Sequence, residues 1–195
     1  MIEGILRLPL RRFEDDRGWF MELRRESALP RPTRQTNVSW SRQGVIRGLH
    51  YHERGQDDLF VCLEGTIRVV VLDRETDETF TEDIGDDNPV AIFVPGSKGH
   101  GFEALTDALV CYHVTEEYDP DDPDEHGIPC DDPRVVELWS TRTPILSPLD
   151  LTASSYRCRR SARAGAGPGV PGRAGAHPCR VGRDPARPVR PRDNL

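Results

Sequence analysis

Short apolar runs separated by turn-forming residues recur along the first 150 positions of the chain. The runs are rich in β-branched and aromatic residues and have the length of single strands. They cover residues 5–10, 19–23, 35–40, 44–51, 59–63, 66–72, 90–94 and 108–115. No stretch keeps a 3.6-residue apolar period, so the pattern predicts an all-β antiparallel sandwich or barrel with little helix. The most apolar run, residues 66–72, is expected to be a central strand.

The last part of the chain has a different composition. Residues 153–195 contain six Gly, six Pro and seven Ala among arginines, and they lack Phe, Ile, Trp, Glu and Lys. Such a stretch cannot bury a core, so we predict a domain over residues 1–152 and a disordered tail over 153–195. A basic tail for nucleic acid or anionic membranes is one interpretation. An out-of-frame reading of G/C-rich sequence explains the composition better, and resequencing the 3′ end of the gene tests it.

Charge is divided between these two parts. Residues 152–195 carry ten Arg against two Asp, a net of +8, which leaves −15 on residues 1–151 of a chain whose total is −7. A body so acidic is not expected to bind nucleic acid through its general surface. Any phosphate that it binds must therefore meet a few placed arginines.

The cysteines and the hydropathy pattern bear on location. No run approaches the roughly 18 apolar residues of a membrane span, and the N-terminus lacks the apolar core of a signal peptide. The five cysteines form no CxxC pair. We therefore expect reduced thiols in a cytoplasmic protein, without a zinc ribbon or a disulfide framework.

Candidate chemistry is densest in three segments, residues 44–52, 93–102 and 109–114. The first ends in His50-Tyr51-His52, and its two histidines share one face of a regular strand. Arg47 would lie on the opposite face unless a bulge at Gly48 turned it towards His50. The other segments add His100 after a turn and Tyr112 in a strand. Taken singly, each of these residues is more often a packing or surface residue than a catalyst.

A metal site is one alternative for these histidines. His50 and His52 followed later by His100 match the ligand spacing of metal-binding cupins. Such cupins add a glutamate a few residues after the first pair, and Asp57 falls near that offset. The pattern alone leaves a metal-dependent oxygenase or isomerase open.

The order of motifs is more specific than any one of them. It runs through residues 13–22, 34–39, 44–50 (with Arg-Gly-Leu-His), 63–65, 94–95 and 100–102 (His-Gly-Phe), then Tyr112, 118–120, 132–133, Trp139 and the closing 146–150, Leu-Ser-Pro-Leu-Asp. Over most of residues 3–151 the chain resembles the dTDP-4-dehydrorhamnose 3,5-epimerase family. The resemblance implies a cupin-type jelly roll, a homodimer, no cofactor, and a role in dTDP-L-rhamnose or related deoxysugar biosynthesis.

The resemblance also assigns roles to residues. His50 matches the family's base, Asp150 its carboxylate partner, and Tyr112 the acid on the opposite face of the sugar. Such a pair of groups inverts a carbon next to a ketone. The positions implied to bind substrate are Arg17, Glu22, Gln35, Asn37, Arg47, His100 and Glu125. Arginines suit the diphosphate because they offer paired donors.

One position departs from the family pattern. Asp58 stands where the family often has a lysine that stabilises the enolate, and an ionised aspartate cannot do so. Lys98, the only lysine of the chain, is the one candidate to replace it. This leaves open whether C3, C5 or both are inverted. It also keeps a non-catalytic sugar-binding cupin as an alternative.

Overall fold

The computed structural model describes residues 2–153, the side chains of residues 149, 152 and 153 excepted. The described part is built of strands, with one 3₁₀ turn at Glu26–Ala28 and one short helix, α1, at Pro148–Ala153. The strands are β1 (Leu6–Pro9), β2 (Arg12–Asp15), β3 (Gly18–Met21), β4 (Gln35–Ser41), β5 (Ile46–Tyr51), β6 (Asp58–Glu64), β7 (Thr66–Leu72), β8 (Thr79–Gly85), β9 (Val90–Val94), β10 (Gly99–Ala104), β11 (Ala108–Val114) and β12 (His126–Gly127). The predicted all-β fold with little helix is therefore confirmed. The predicted tail lies outside the described residues apart from Ala153.

Two antiparallel five-stranded sheets face each other. The first sheet has the order β1-β9-β6-β11-β4, and the second has the order β12-β5-β10-β7-β8. Alternate residues of both sheets meet in one apolar layer, among them Ile92 and Val110 of the first sheet and Val69 and Ile84 of the second. This burial is the main stabilising term of a sandwich. The run at β7 pairs on both sides, with β10 and β8, as its apolar character predicts.

The outer faces of the sheets are covered by irregular chain. Residues 128–146 pack on the second sheet, where the Trp139 indole donates to the Cys130 carbonyl at 2.8 Å. Leucines of the N-terminal segment cover the first sheet around Phe93. The β2–β3 hairpin is different, because its Trp19 and Phe20 are 53% and 66% exposed.

A bulge in β5 changes the direction of its side chains. His50 pairs with His100 and Arg47 pairs with Phe102, so three steps along β5 match two along β10. Gly48 occupies the extra position at φ 110°, and a Cβ there would lie 2.7 Å from the His100 carbonyl oxygen. Only glycine fits such a close approach. The bulge that Arg47 needs in order to reach the His50 side of the strand is thus present.

No helix in the described part of the chain is long and apolar enough to cross a membrane.

Candidate active site

A cavity of about 670 Å³ opens between the two sheets, a size typical of small-molecule sites. The second sheet contributes His50, His100 and Arg47 to its wall, and the first contributes Tyr112 and Asn37. The predicted residues that line it are Gln35, Asn37, Arg47, His50, His100, Tyr112, Glu125 and Asp150. Most of the predicted site therefore meets in one place.

His50 lies between two carboxylates. Its Nε2 is 3.1 Å from Asp150 Oδ1, and its Nδ1 is 2.9 Å from Glu125 Oε1. Burial disfavours the charged ring, but the hydrogen bonds to Asp150 and Glu125 outweigh it and raise the pKa of His50 to about 9. The carboxylates fix the ring and stabilise its protonated form, as in other His–Asp pairs.

The start of α1 holds Asp150 in place. The Ser147 hydroxyl donates to Asp150 Oδ2 at 2.6 Å, and the Asp150 amide donates to Ser147 Oγ at 3.2 Å. The Ser147 amide also donates to Asp150 Oδ2 at 3.3 Å, and with the Asp150 amide bond it forms a capping box, with Pro148 at the first helical position. Burial opposes ionisation of Asp150, but the bonds from His50 and Ser147 prevail and lower its pKa. The capping signature Ser-x-x-Asp is the sequence signal that identifies Ser147 as a site residue.

Tyr112 faces the cavity from the opposite sheet. It lies on β11, in register with Asn37 of β4 and Phe60 of β6. Burial raises the pKa of its hydroxyl, and the Asp58 carboxylate raises it further. The phenol therefore keeps its proton at neutral pH. On the same wall, Gln35 Nε2 donates to Asn37 Oδ1 at 2.8 Å.

Asp58 lies at the bottom of the site beside two histidines. Its Oδ2 is 3.5 Å from His100 Nε2, and its Oδ1 accepts a hydrogen bond from Gln56 Nε2 at 3.0 Å. Burial disfavours the carboxylate, but His100 and His52 lower its pKa, so that Asp58 is ionised. Gln56 is a cavity residue that sequence reasoning missed, because its position depends on this tertiary contact.

The expected metal ligands are only partly brought together. A compact group is formed by His52, Asp58 and His100, whose ligand atoms lie within 4.8 Å of one another. His50 lies instead between the Asp150 and Glu125 carboxylates. The expectation that Asp57 joins the histidines is wrong, because its carboxylate accepts hydrogen bonds from Arg31 at 3.2 Å and from the Gly96 amide at 3.0 Å.

Arg47 is the arginine that the bulge turns into the cavity. Its Nε donates to Ser41 Oγ at 2.9 Å, and one terminal nitrogen lies 3.5 Å from the Trp40 carbonyl oxygen. Among residues 2–153, no ion pair joins Arg47 to a carboxylate. Its guanidinium therefore remains available to an anionic ligand.

Three other residues do not line the cavity within the described part of one chain. Arg17 is at the tip of the β2–β3 hairpin, where it binds Asp15. Glu22 follows that hairpin and binds Arg25 at 2.8 Å. The Lys98 ammonium binds Asp73 Oδ2 at 2.8 Å, so Lys98 does not replace the lysine whose position Asp58 occupies.

Together, the described groups suit proton transfer at a carbon between two walls. One wall offers an imidazole supported by carboxylates, and the facing wall offers a phenol that keeps its proton. Such a pair can remove a proton from one side of a bound molecule and return one to the other side.

Comparison with known proteins agrees with this chemistry. The family described as dTDP-4-dehydrorhamnose 3,5-epimerase matches residues 1–157. The spore coat polysaccharide biosynthesis protein SpsL of Bacillus subtilis is 38% identical over 149 residues, 72% of this chain and 98% of SpsL. The dTDP-4-dehydrorhamnose 3-epimerase of Streptomyces niveus is 35% identical over 166 residues, 78% of this chain and 79% of that enzyme. The crystal structure of NovW, a 4-keto-6-deoxy sugar epimerase of Streptomyces spheroides, superposes with a TM-score of 0.71 at 32% identity, covering 83% of this chain and 87% of NovW.

Proposed function

The chain belongs to the dTDP-4-dehydrorhamnose 3,5-epimerase family, and on this premise we propose that His50 and Tyr112 invert carbons next to the ketone of a dTDP-linked 4-keto-6-deoxy sugar. The protein is an isomerase of the nucleotide-sugar epimerase class. The observation that supports these roles best is the placement of the two side chains. They lie on facing sheets across one cavity, and carboxylates hold the histidine.

The reaction starts at His50. Asp150 holds Nε2, so the neutral ring accepts the proton of the carbon beside the ketone at Nδ1, where the substrate replaces the contact to Glu125. The electron pair of that C–H bond moves into an enolate. Asp150 stabilises the imidazolium that forms. In the substrate-free protein the two carboxylates favour the protonated ring. The active form is therefore the minor, neutral form at pH 7, and a strong base when it is present.

Tyr112 completes the inversion. Its O–H proton passes to the same carbon from the opposite face, and the enolate electrons return to the C–H bond. His50 then carries one extra proton and Tyr112 lacks one, so both must exchange with water before the next turnover. Inversion at that carbon follows because base and acid lie on different walls of the cavity.

The remaining polar residues of the cavity are assigned to binding. Gln35 and Asn37 offer amides beside Tyr112, and His100 lies next to His50 in register. Arg47 supplies the positive charge that a diphosphate requires. Before substrate binds, Glu125 orients the His50 ring through its contact with Nδ1. An arginine placed in this way explains how an acidic body binds an anionic nucleotide sugar.

A homodimer would give Arg17 and Glu22 their roles. The edge strand β4 exposes Val38 and Trp40, which are 60% and 55% accessible. These apolar side chains and the exposed β2–β3 hairpin are the surfaces that a second copy would cover. Arg17 and Glu22 would then contribute to the nucleotide end of the partner's cavity. Light scattering of the purified chain should give the mass of two chains, and a monomer would contradict this assignment.

We also propose how the chain is divided into parts, where the protein is located and which partners it lacks. We place the catalytic domain at residues 1–152 and the tail at 153–195, in a cytoplasmic protein without nucleic-acid or membrane partners. The acidic charge of the body supports the absence of nucleic-acid binding.

The decisive experiment follows deuterium. Wild-type protein incubated with dTDP-4-keto-6-deoxyglucose in D₂O should incorporate deuterium at C3, C5 or both, and NMR identifies which carbons react. In Tyr112→Phe, exchange should persist on the His50 face while the inverted product is lost. Absence of deuterium at both carbons with the wild-type protein would refute the proposal and favour a sugar-binding cupin.

A further inference from the structure

We propose that His52, Asp58 and His100 form a binding site for one divalent transition-metal ion in the wall of the substrate cavity. Their ligand atoms lie within 4.8 Å of one another, and the residues are 7%, 6% and 3% exposed. All three line the cavity. The inference goes beyond the epimerase reaction assigned to His50 and Tyr112, and the site does not depend on that assignment.

The donor set fits the chemistry of such ions. Two imidazoles and one carboxylate are ligands that Zn²⁺, Co²⁺ and Fe²⁺ accept, and the remaining positions stay open to water or substrate. Two ligands at about 2.1 Å from a tetrahedral ion are about 3.4 Å apart. Asp58 Oδ2 and His100 Nε2 are 3.5 Å apart, so an ion can bind both with little movement of the chain.

Hydrogen bonds on the far side of each ring orient the histidines. His100 Nδ1 lies 2.8 Å from the Lys98 carbonyl oxygen, and His52 Nδ1 contacts the Asp124 carbonyl oxygen. A carbonyl oxygen accepts a hydrogen bond, so Nδ1 of each ring carries a proton. Nε2 of each ring is then the nitrogen turned towards Asp58 or Gln56, and it is the atom through which the ring would bind an ion. Backbone carbonyls of this kind commonly orient histidine ligands of metals.

Gln56 contacts two of the three proposed ligands. Its amide nitrogen lies 3.0 Å from His52 Nε2 and 3.0 Å from Asp58 Oδ1, so that its hydrogens face two acceptors at once. A bound cation would take over these lone pairs, and the Gln56 amide would turn its oxygen to the ion or move aside. The ion would also compensate the charge of the Asp58 carboxylate, which is buried.

The test is metal binding by the full-length protein in the absence of sugar. After dialysis against a chelator, calorimetric titration with Zn²⁺ or Co²⁺ should give one ion per chain, and Co²⁺ should produce visible absorption typical of nitrogen and oxygen ligands. His52→Gln and Asp58→Asn should each weaken binding by at least about 100-fold. His126→Gln is the matched control. His126 lies 3.3 Å from Asp124 but is outside the cluster, so its loss should leave affinity unchanged.

Two outcomes overturn the proposal. One is no binding of either ion at concentrations on the order of 1 mM, far weaker than metal sites in proteins. The other is equal affinity in wild type, His52→Gln and Asp58→Asn, with all three folded by circular dichroism, which would place the ion elsewhere. Because no sugar is present, these outcomes leave the epimerase assignment untouched. A protein that binds one Co²⁺ but exchanges no deuterium would contradict that assignment alone.

Discussion

Two histidines on strands, one in the cavity between the sheets and one in the apolar layer outside the first sheet, have pKa values shifted in opposite directions. His50 lies in the cavity between Asp150 and Glu125, and its pKa is raised to about 9. His113 packs outside, 3.7 Å from Cys111 Sγ and 2.9 Å from Thr36 Oγ1. Burial and the positive charge of Arg24 lower its pKa to about 4.

Burial alone therefore does not make a histidine a base. In both regions desolvation disfavours the imidazolium, and the partners decide the result. Carboxylates reverse the effect at His50, whereas a thiol and a hydroxyl leave it intact at His113. The difference predicts which histidine the chemistry needs and how each responds to pH.

The largest expected effect is the loss of His50. His50→Gln should lower the rate of deuterium exchange by roughly 10³-fold, because it removes the base while keeping a polar side chain. His113→Gln is the matched variant and should keep the rate within about twofold of wild type. NMR of the sugar in D₂O measures both rates. Comparable exchange rates in the two variants would contradict the assignment of His50, rather than His113, as the base.

Next in size is the effect of Asp150. Asp150→Asn keeps an oxygen for the Ser147 cap but removes the charge beside His50, so exchange should fall by roughly 10²-fold. In wild type the rate should rise with pH towards about 9, as the imidazolium deprotonates. In Asp150→Asn the midpoint of this rise should move to lower pH, because the protonated ring loses a carboxylate. An unchanged rate and midpoint would show that Asp150 does not support the base.

The bulge gives a smaller effect on stability. Gly48→Ala places a Cβ 2.7 Å from the His100 carbonyl oxygen at a positive φ, and should lower the free energy of unfolding by about 2 kcal/mol. Gly18→Ala is the control, since Gly18 also has a positive φ but nothing within 4 Å of the added Cβ. Urea denaturation of both variants separates crowding from backbone strain. Equal losses would mean that the close approach at Gly48 is unimportant.

The smallest effect is the pH dependence of stability. The folded pKa of His113, about 4, lies below the unfolded value near 6.5, so the unfolded chain binds the proton first as pH falls. His113 should therefore reduce stability by about 1–2 kcal/mol between pH 7 and 5, a loss that is absent in His113→Gln.

His50 should show the opposite sign in the same unfolding experiments. Its folded pKa is raised, so its contribution is present below about pH 6.5 and is lost as pH rises towards 9. Urea denaturation of His50→Gln and His113→Gln at pH 5, 7 and 9 measures both contributions. The same sign for both histidines would contradict the comparison.

The sequence predicted the strands that are runs of β-branched and aromatic residues, and it missed strands that charged residues or glycines interrupt. Residues 79–85 form β8, but charged residues such as Glu82 and Asp83 at the edge of the sheet hide its period. Residues 99–104 form the fully buried β10, where two glycines and a histidine conceal an interior strand. Local pattern fails in both cases because pairing with neighbouring strands decides the structure.

The residues of the site also fall into those that local rules predict and those that depend on the tertiary structure. Strand parity is a local rule, and it showed that Arg47 could share the face of His50 only through a bulge at Gly48. The choice of Asp150 as the partner of His50 needed the family resemblance, because nothing local separates it from the other acids of the chain. The group of His52, Asp58 and His100 is set by the pairing of β5, β6 and β10 with their neighbours, which no spacing rule supplies.

The contact between His50 and Asp150 also bears on how fast the protein regains activity when it folds. The two residues are 100 positions apart in sequence, and residues 128–146 of the segment between them pack on the second sheet. Contacts between residues so distant in sequence slow folding. We therefore expect exchange activity to recover, after dilution from denaturant, no faster than the apolar layer between the sheets is buried.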